Sequence, residues 1–225
     1  MIDSMIGPLI GRGQRWFWDL HSRTWDDLAT VPAVAAHRAD LVDWFTGSLP
    51  PGHNTVVDLG CGTGELTIRL ASVGVSTVGL DFSPAMLTRA RVKANTTGTP
   101  ARFCVADLSR PLPLGNACCQ GALCVYVLQV VAHPTVLLGE IHRVLGPNGV
   151  ALFDIPRRGS VRRPPPGTLA HRPFWLAKRA LVRTGQVLLR YQPERLIATI
   201  EDAGFRVLQQ SEFAESIGVL ASARR

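Results

Sequence analysis

From Thr55 onward, short β-branched runs alternate with segments of helical period, which is the pattern of parallel strands joined by crossover helices. Residues 55–59 read as a first strand, 65–72 as a helix and 76–80 as a second strand. Ser83 then stands where an N-cap belongs, and Pro84 takes the first helical position, where its missing N–H costs no hydrogen bond; this helix should end near Asn95. Residues 102–106 and 120–127 read as third and fourth strands, both nearly continuous in apolar residues, as strands covered on two faces are. Residues 134–145 form an amphipathic helix with Val136, Leu137, Ile141, Val144 and Leu145 inward, stopped by Gly146 and Pro147. Residues 149–155 supply the fifth strand.

The regularity breaks after that strand. Residues 157–173 are rich in Arg, Pro and Gly and read as a loop. A helical pattern covers 174–190, another covers 193–203 and ends at Gly204, and residues 205–210 and 216–223 are two strands close enough to pair as a hairpin. The first fifty residues carry Trp16, Trp18, Trp25 and Trp44 and are expected to form helices packed over one edge or across a cleft. With 225 residues and 46% of them apolar, the chain can bury a sizeable core as one domain. Within it, 1–53 reads as a helical cap, 54–155 as the α/β core, 156–192 as a basic insert and 193–225 as a terminal helix and hairpin.

The sharpest motif is Val56-Val57-Asp58-Leu59-Gly60-Cys61-Gly62-Thr63-Gly64-Glu65, a strand that runs into a glycine turn and then a helix. Glycines there let the backbone approach a ligand, and the helix start offers free N–H groups. A dinucleotide fingerprint beginning at Gly60 needs glycine at position 65, where Glu65 stands, and the lysine of a phosphate-binding loop is absent. Two more acids, Asp81 and Asp107, end the second and third strands, where ligands of open α/β sheets sit. Each alone also reads as a turn or cap acid.

With Asp58 two residues ahead of Gly60-x-Gly62-x-Gly64, the motif resembles the glycine loop of class I S-adenosylmethionine-dependent methyltransferases. The resemblance covers residues 56–155 and is nearest to the broad group that includes quinone, lipid and other small-molecule methyltransferases. Leu80-Asp81-Phe82-Ser83-Pro84-Ala85-Met86-Leu87 and Glu140-Ile141-His142-Arg143-Val144-Leu145-Gly146-Pro147-Asn148-Gly149 look like that group's standard segments, and Tyr191-Gln192-Pro193-Glu194 with Ala203-Gly204-Phe205 resembles its late helix and sixth strand. The resemblance implies a single doubly wound, mostly parallel seven-stranded sheet of Rossmann-like type, with the seventh strand antiparallel beside the fifth. It implies S-adenosylmethionine as cofactor, held by Asp58, Gly60, Cys61, Gly62, Gly64, Asp81, Phe82, Met86, Asp107, Leu108 and Gln129. In this reading Asp81 accepts hydrogen bonds from both ribose hydroxyls, and Asp107 with Leu108 contacts adenine. The acceptor is expected to be small or lipid-like. The acidic, Phe-containing turn that the group carries before its fourth strand is missing; residues 115–120 offer Asn116, Cys118 and Cys119 instead.

Methyl transfer needs a base only where the acceptor must lose a proton. Tyr126, Gln129 and His133 follow the fourth strand at the expected methionine end, although His133 before Pro134 also reads as a helix cap. His21 in Trp18-Asp19-Leu20-His21 is a further candidate base, against a surface or packing role; His142 is assigned to the exposed face of its helix. The Asn- or Asp-Pro-Pro-aromatic stretch of base-amino methyltransferases is replaced by Tyr126-Val127-Leu128-Gln129. RNA methyltransferases without that stretch stay open as an alternative, as does a protein that binds the cofactor without transferring its methyl.

The formal charge of +7 is local: nine Lys or Arg residues and no acid lie between Ile155 and Pro193, which leaves the remainder near −2. That distribution argues against a nucleic-acid surface along the whole chain. On a helical wheel Arg179, Arg183, Gln186 and Arg190 share one stripe beside a wide apolar face. Residues 157–190 are therefore expected either to present a solvated cationic stripe or to form a lid that touches an anionic membrane surface or an anionic, apolar acceptor. The five cysteines, Cys61, Cys104, Cys118, Cys119 and Cys124, lack zinc-ligand spacing and are expected to be reduced and mostly buried, with no metal bound. No apolar run approaches the ~20 residues of a membrane span and no signal peptide is evident, so a soluble, cytoplasmic protein is expected.

Overall fold

The structure, a computed structural model, describes residues 15–16, 18–20, 22, 25–27, 30–52, 54–131, 133–157, 193–213 and 216–224. Its regular elements are α1 (Pro32–Ser48), β1 (Thr55–Leu59), α2 (Glu65–Ser72), β2 (Ser76–Asp81), α3 (Pro84–Thr96), β3 (Arg102–Val105), β4 (Cys119–Val125), α4 (Pro134–Val144), β5 (Leu145–Pro156), α5 (Pro193–Asp202), β6 (Phe205–Glu212) and β7 (Ser216–Ala223). The seven strands form one sheet in the order β3-β2-β1-β4-β5-β7-β6. The first five run parallel, and β7 enters antiparallel between β5 and β6. The strand order reverses between β1 and β4, the switch point at which open α/β sheets bind ligands.

Period-two alternation sorts each central strand into two faces. Val57, Leu59, Ala122, Cys124, Ala151, Phe153, Val219 and Ala221 pack with Leu137, Leu138, Ile141 and Val144 of α4 and Leu196 and Ile200 of α5. Their neighbours in sequence, Val56, Leu123, Val150, Leu152 and Leu220, pack on the opposite face with Leu41, Val42 and Phe45 of α1 and Leu66 and Leu70 of α2. A side chain on Gly121 would come within 2.7 Å of both Leu49 and the Phe45 ring, so α1 lies close against β4 there. Capping of α3 is as expected, Ser83 Oγ accepting from the Met86 N–H at 3.1 Å.

Some expectations need correction. Residues 102–105 do form a strand, but it is the sheet edge; Cys104 and Val105 are exposed, because β3 has one strand neighbour instead of two. On α4 it is Leu138 that turns inward, while Val136 is 44% exposed. Of the cysteines only Cys119 and Cys124 are buried; Cys61 is half-buried, and Cys104 and Cys118 are exposed. His142 is half-buried rather than exposed: its Nε2 lies 3.0 Å from the Arg224 carbonyl oxygen and its ring meets Phe205 edge-on. The unusual turn before β4 has its own fastening. Arg143 donates to the Leu112 and Leu114 carbonyls and to Asn116 Oδ1, and pairs with Glu140 at 2.6 Å. No described helix is long and apolar enough to cross a membrane.

Phe45 is fully buried between α1 and the sheet. Phe45→Ala should therefore cost about 3–5 kcal/mol of stability. Urea unfolding measures this, and a loss under about 1 kcal/mol would contradict the packing described.

Candidate functional site

The carboxyl ends of β1, β2 and β4 gather the sequence motifs. Gly60 and Gly62 have φ of +68° and +55°, the left-handed region in which a side chain is strained. The turn is pinned to β2, since Gly60 N–H and Cys61 N–H both donate to the Leu80 carbonyl, at 2.7 and 3.0 Å. Not every glycine makes room for a ligand. A Cβ on Gly60 would strike Val127 at 2.4 Å, and one on Gly64 would strike Ala90 and Phe103 at 2.8 Å, so those two positions serve packing within the protein. Gly62 faces the Trp25 indole, 3.4 Å from where its Cβ would be.

The three strand-end acids differ. Asp58 is buried and accepts from Thr67 Oγ at 2.6 Å, which ties the end of β1 to α2. Burial, reinforced by the Asp81 charge and opposed by the Thr67 hydrogen bond, raises its pKa from 3.8 to about 6. Asp81 is buried too; one oxygen accepts the Gly62 N–H and the other the Ser83 N–H, each at 2.9 Å. Burial raises its pKa against those two hydrogen bonds. Asp107 is exposed and spends one oxygen on the N–H and hydroxyl of Ser109, as a turn acid does. Burial and the charges of Asp58 and Asp81 hold the Cys61 thiol well above its usual range, so it is no ready nucleophile.

The remaining sequence candidates divide in the same way. Met86 and Leu108 are core side chains, 2% and 8% exposed, and Phe82 is half-buried beside Asp81. Gln129 is buried, and its Oε1 has no hydrogen-bond partner among the described residues. Tyr126 is half-buried with φ +57°, its N–H donating to the Asp154 carbonyl at 3.0 Å. His133 is exposed at the N-cap of α4, and its side chain makes no cap hydrogen bond; the backbone carbonyl receives Val136 and Leu137 instead. His21 and residues 158–190 lie outside the described residues.

Sequence reasoning missed what the N-terminal part contributes. Asp26 pairs with Arg89 at 2.6 Å and Lys93 at 2.7 Å, and Lys93 also donates to Thr63 of the glycine turn. Burial would raise the Asp26 pKa, but hydrogen bonds from Lys93, Thr63 and Arg89 bring it below its usual value. Ser83 donates to Asp19 at 2.5 Å, and Trp18 meets Trp25 edge-on at 5.3 Å. On α1, the Arg38 guanidinium carries a buried Nη1 without a partner among the described residues; burial lowers its pKa, countered by Glu65, Tyr126 and Asp58. Next to it, His37 Nε2 lies 2.8 Å from Asp154 Oδ2, and Ser216 Oγ lies 3.3 Å from the same nitrogen. The one sequence signal for Asp154 was a charge inside a strand buried on both faces.

A parallel sheet with a glycine turn at its switch point and buried acids at two neighbouring strand ends defines an α/β cofactor-binding protein. The methyltransferase domain family matches residues 56–149. An uncharacterised methyltransferase of Synechocystis is 32% identical over 149 residues, 63% of this chain and 64% of that one. A demethylmenaquinone methyltransferase of Deinococcus radiodurans is 32% identical over 170 residues, 67% of each chain. Among solved structures, the cyclase SpnF shares the fold with TM-score 0.70 at 17% identity, over 93% of this chain and 94% of its own. The chain belongs to the class I S-adenosylmethionine-dependent methyltransferases. It spans about half to two thirds of the length of the curated relatives it matches.

The raised pKa of Asp58 makes the folded protein prefer the protonated acid. Its contribution to stability is full below about pH 4, declines as pH rises, and is lost above about pH 6. Asp58→Asn keeps an acceptor for Thr67 without this titration. Relative to wild type, the variant should gain up to about 3 kcal/mol between pH 4 and pH 7. Urea unfolding at both pH values checks this, and a stability difference independent of pH would refute it.

Proposed function

We propose that this protein transfers a methyl group from S-adenosylmethionine to an oxygen, carbon or nitrogen of a small or lipid-like acceptor. The observation that carries the reading is the buried Asp81 carboxylate, held by Gly62 and Ser83 N–H groups beside the switch point of the sheet. An ionised carboxylate offers about four acceptor sites, and two backbone donors leave sites for a pair of ribose hydroxyls. The unpartnered atoms fit the other end of such a ligand: Gln129 Oε1 suits an ammonium and Arg38 Nη1 a carboxylate. Asp58 adds a second buried acid for a cationic ligand. Asp107 and Leu108 are assigned to the adenine, with Asp107 offering Oδ2, which Ser109 does not use and which Arg110 approaches at 3.4 Å.

When bound, S-adenosylmethionine supplies a methyl group activated by its sulfonium. The chain's task is then to hold acceptor and methyl in line, a positioning effect that contributes up to about 7–11 kcal/mol. The demethylmenaquinone methyltransferase among the relatives supports a quinone-like or otherwise lipid-like acceptor. The cationic stripe of 157–190, with its apolar face, is assigned to that acceptor or to an anionic membrane surface rather than to the cofactor.

Calorimetry should show S-adenosylmethionine or S-adenosylhomocysteine binding to the wild-type chain, with affinity at least about tenfold lower in Asp81→Ala. Wild-type protein that binds neither would overturn the assignment. In a cell extract supplied with methyl-labelled cofactor, label should enter an organic-soluble product of low mass. Label in RNA would move the reading to nucleic acid, and label nowhere would leave a binding role.

A further inference from the structure

The faces of the sheet carry a second polar group that cofactor binding does not use. On β5 the residues facing α1 are Val150, Leu152 and then Asp154; on α1 the residues facing the sheet are Phe45, Leu41 and, one turn earlier, His37. Two apolar rows thus end, at the carboxyl edge of the sheet, in a histidine and a carboxylate 2.8 Å apart. Asp154 is opposite Val125, the last residue of β4, and Asp58 is opposite Leu123, so the pair stands level with the glycine turn. Two strand spacings, roughly 10 Å, separate it from β1. That offset puts it across the switch point from Asp81.

The hydrogen bond sets the chemistry. Asp154 as a carboxylate only accepts, so the imidazole Nε2 carries the hydrogen, and in the neutral ring Nδ1 keeps its lone pair. Nδ1 is buried and has no partner among the described residues, and the same is true of Asp154 Oδ1. Two orphan acceptors shut off from water call for a ligand that donates a proton. Phe213 meets the imidazole edge-on at 4.6 Å and Tyr126 at 6.4 Å, giving the surroundings an aromatic wall.

Building on the methyltransferase reading, we infer that His37 is the general base for a hydroxyl acceptor, with Asp154 as its positioning residue. The acceptor's O–H bond breaks and the proton passes to His37 Nδ1. The oxygen lone pair forms the bond to the methyl carbon, and the electron pair of the broken carbon–sulfur bond stays on the leaving sulfur. The imidazolium so formed is balanced by Asp154. The product is an O-methyl ether or ester, and the preferred acceptors are hydroxyls attached to apolar rings or chains.

Three readouts on the full chain test this. Nitrogen-15 spectra of the histidine ring should show Nε2–H and a bare Nδ1 at neutral pH; the opposite tautomer would overturn the inference. With organic extract of bacterial cells and labelled cofactor, the product's new methyl should lie on oxygen by NMR; a methyl on carbon or nitrogen, or no transfer at all, counts against it. His37→Gln should lower kcat about 10²–10⁴-fold while S-adenosylhomocysteine affinity by calorimetry changes little. In wild type kcat/KM should fall as pH drops; the titratable groups facing the ring among the described residues are Asp154 and Tyr126, Ser216 and Phe213 being uncharged. His37→Gln should lose that limb, and Asp154→Asn should slow the rate and shift it. A folded His37→Gln protein with unchanged rate and pH profile would overturn the base while leaving the cofactor reading intact. Absence of S-adenosylhomocysteine binding in wild type would instead remove the reading on which it rests.

Discussion

The burial of Leu41, Val42 and Phe45 against Val56, Leu123, Val150 and Leu152 fixes α1 across the middle of the sheet, and the polar groups of the carboxyl edge take their places from that contact. A helix repeats its face every three to four residues, so once Leu41 and Phe45 face the sheet, His37 must face it too, one turn nearer the edge. Arg38 follows beside it, within the field of Asp58 and Glu65. On the strands the period of two does the same for Asp58 after Val56 and for Asp154 after Leu152. The helix and the strands thus deliver polar groups to one end of the sheet as extensions of apolar rows.

That end is short of solvent and rich in carboxylate. Asp58 and Asp81 are both buried and each is driven upward in pKa, chiefly by burial. Their hydrogen bonds, from Thr67 to Asp58 and from Gly62 and Ser83 to Asp81, soften the cost without removing it. A site so arranged favours a ligand that brings positive charge and hydroxyl donors. On its outer side Asp19 bonds Ser83, Asp26 pairs with Arg89 and Lys93, and Trp25 lies against Gly62, so the glycine turn meets aromatic surface as well as acids.

The sequence made the sheet legible because its signals are local. Strand runs, the Ser83-Pro84 cap and the glycine turn each occupy a few consecutive residues, and β1, α2 and β7 have the bounds that the residues imply. Edge position was not legible: residues 102–105 are as apolar as a central strand, and only the sheet order exposes Cys104 and Val105. Asp81 and Asp107 were both readable as strand-end acids, but not their exposure: Asp81 is buried, whereas Asp107 sits at that exposed edge with one oxygen on Ser109. The His37–Asp154 pair and the Asp26 ion pairs join residues 117, 67 and 63 positions apart, and no local pattern encodes such partners. His37 sits in an alanine-rich run whose stripe becomes visible only when Leu41 and Phe45 are known to be inside.

The antiparallel strand β7 lies inside the sheet, between β5 and β6, although it follows both in sequence. During synthesis the chain emerges from its N-terminal side, and segments assemble as they appear. Strands β1 to β4, with the glycine turn, Asp58 and Asp81, have their strand neighbours as soon as residue 156 is made. The exposed flank of β5 must then wait, unpaired, for about sixty further residues before Gly218 comes opposite Asp154 and Ser216 reaches His37. The two flanks of the carboxyl edge are therefore separated in time of birth: the flank with Asp58 and Asp81 is complete early, and the flank beside His37 closes only when the last strand slides in between β5 and β6.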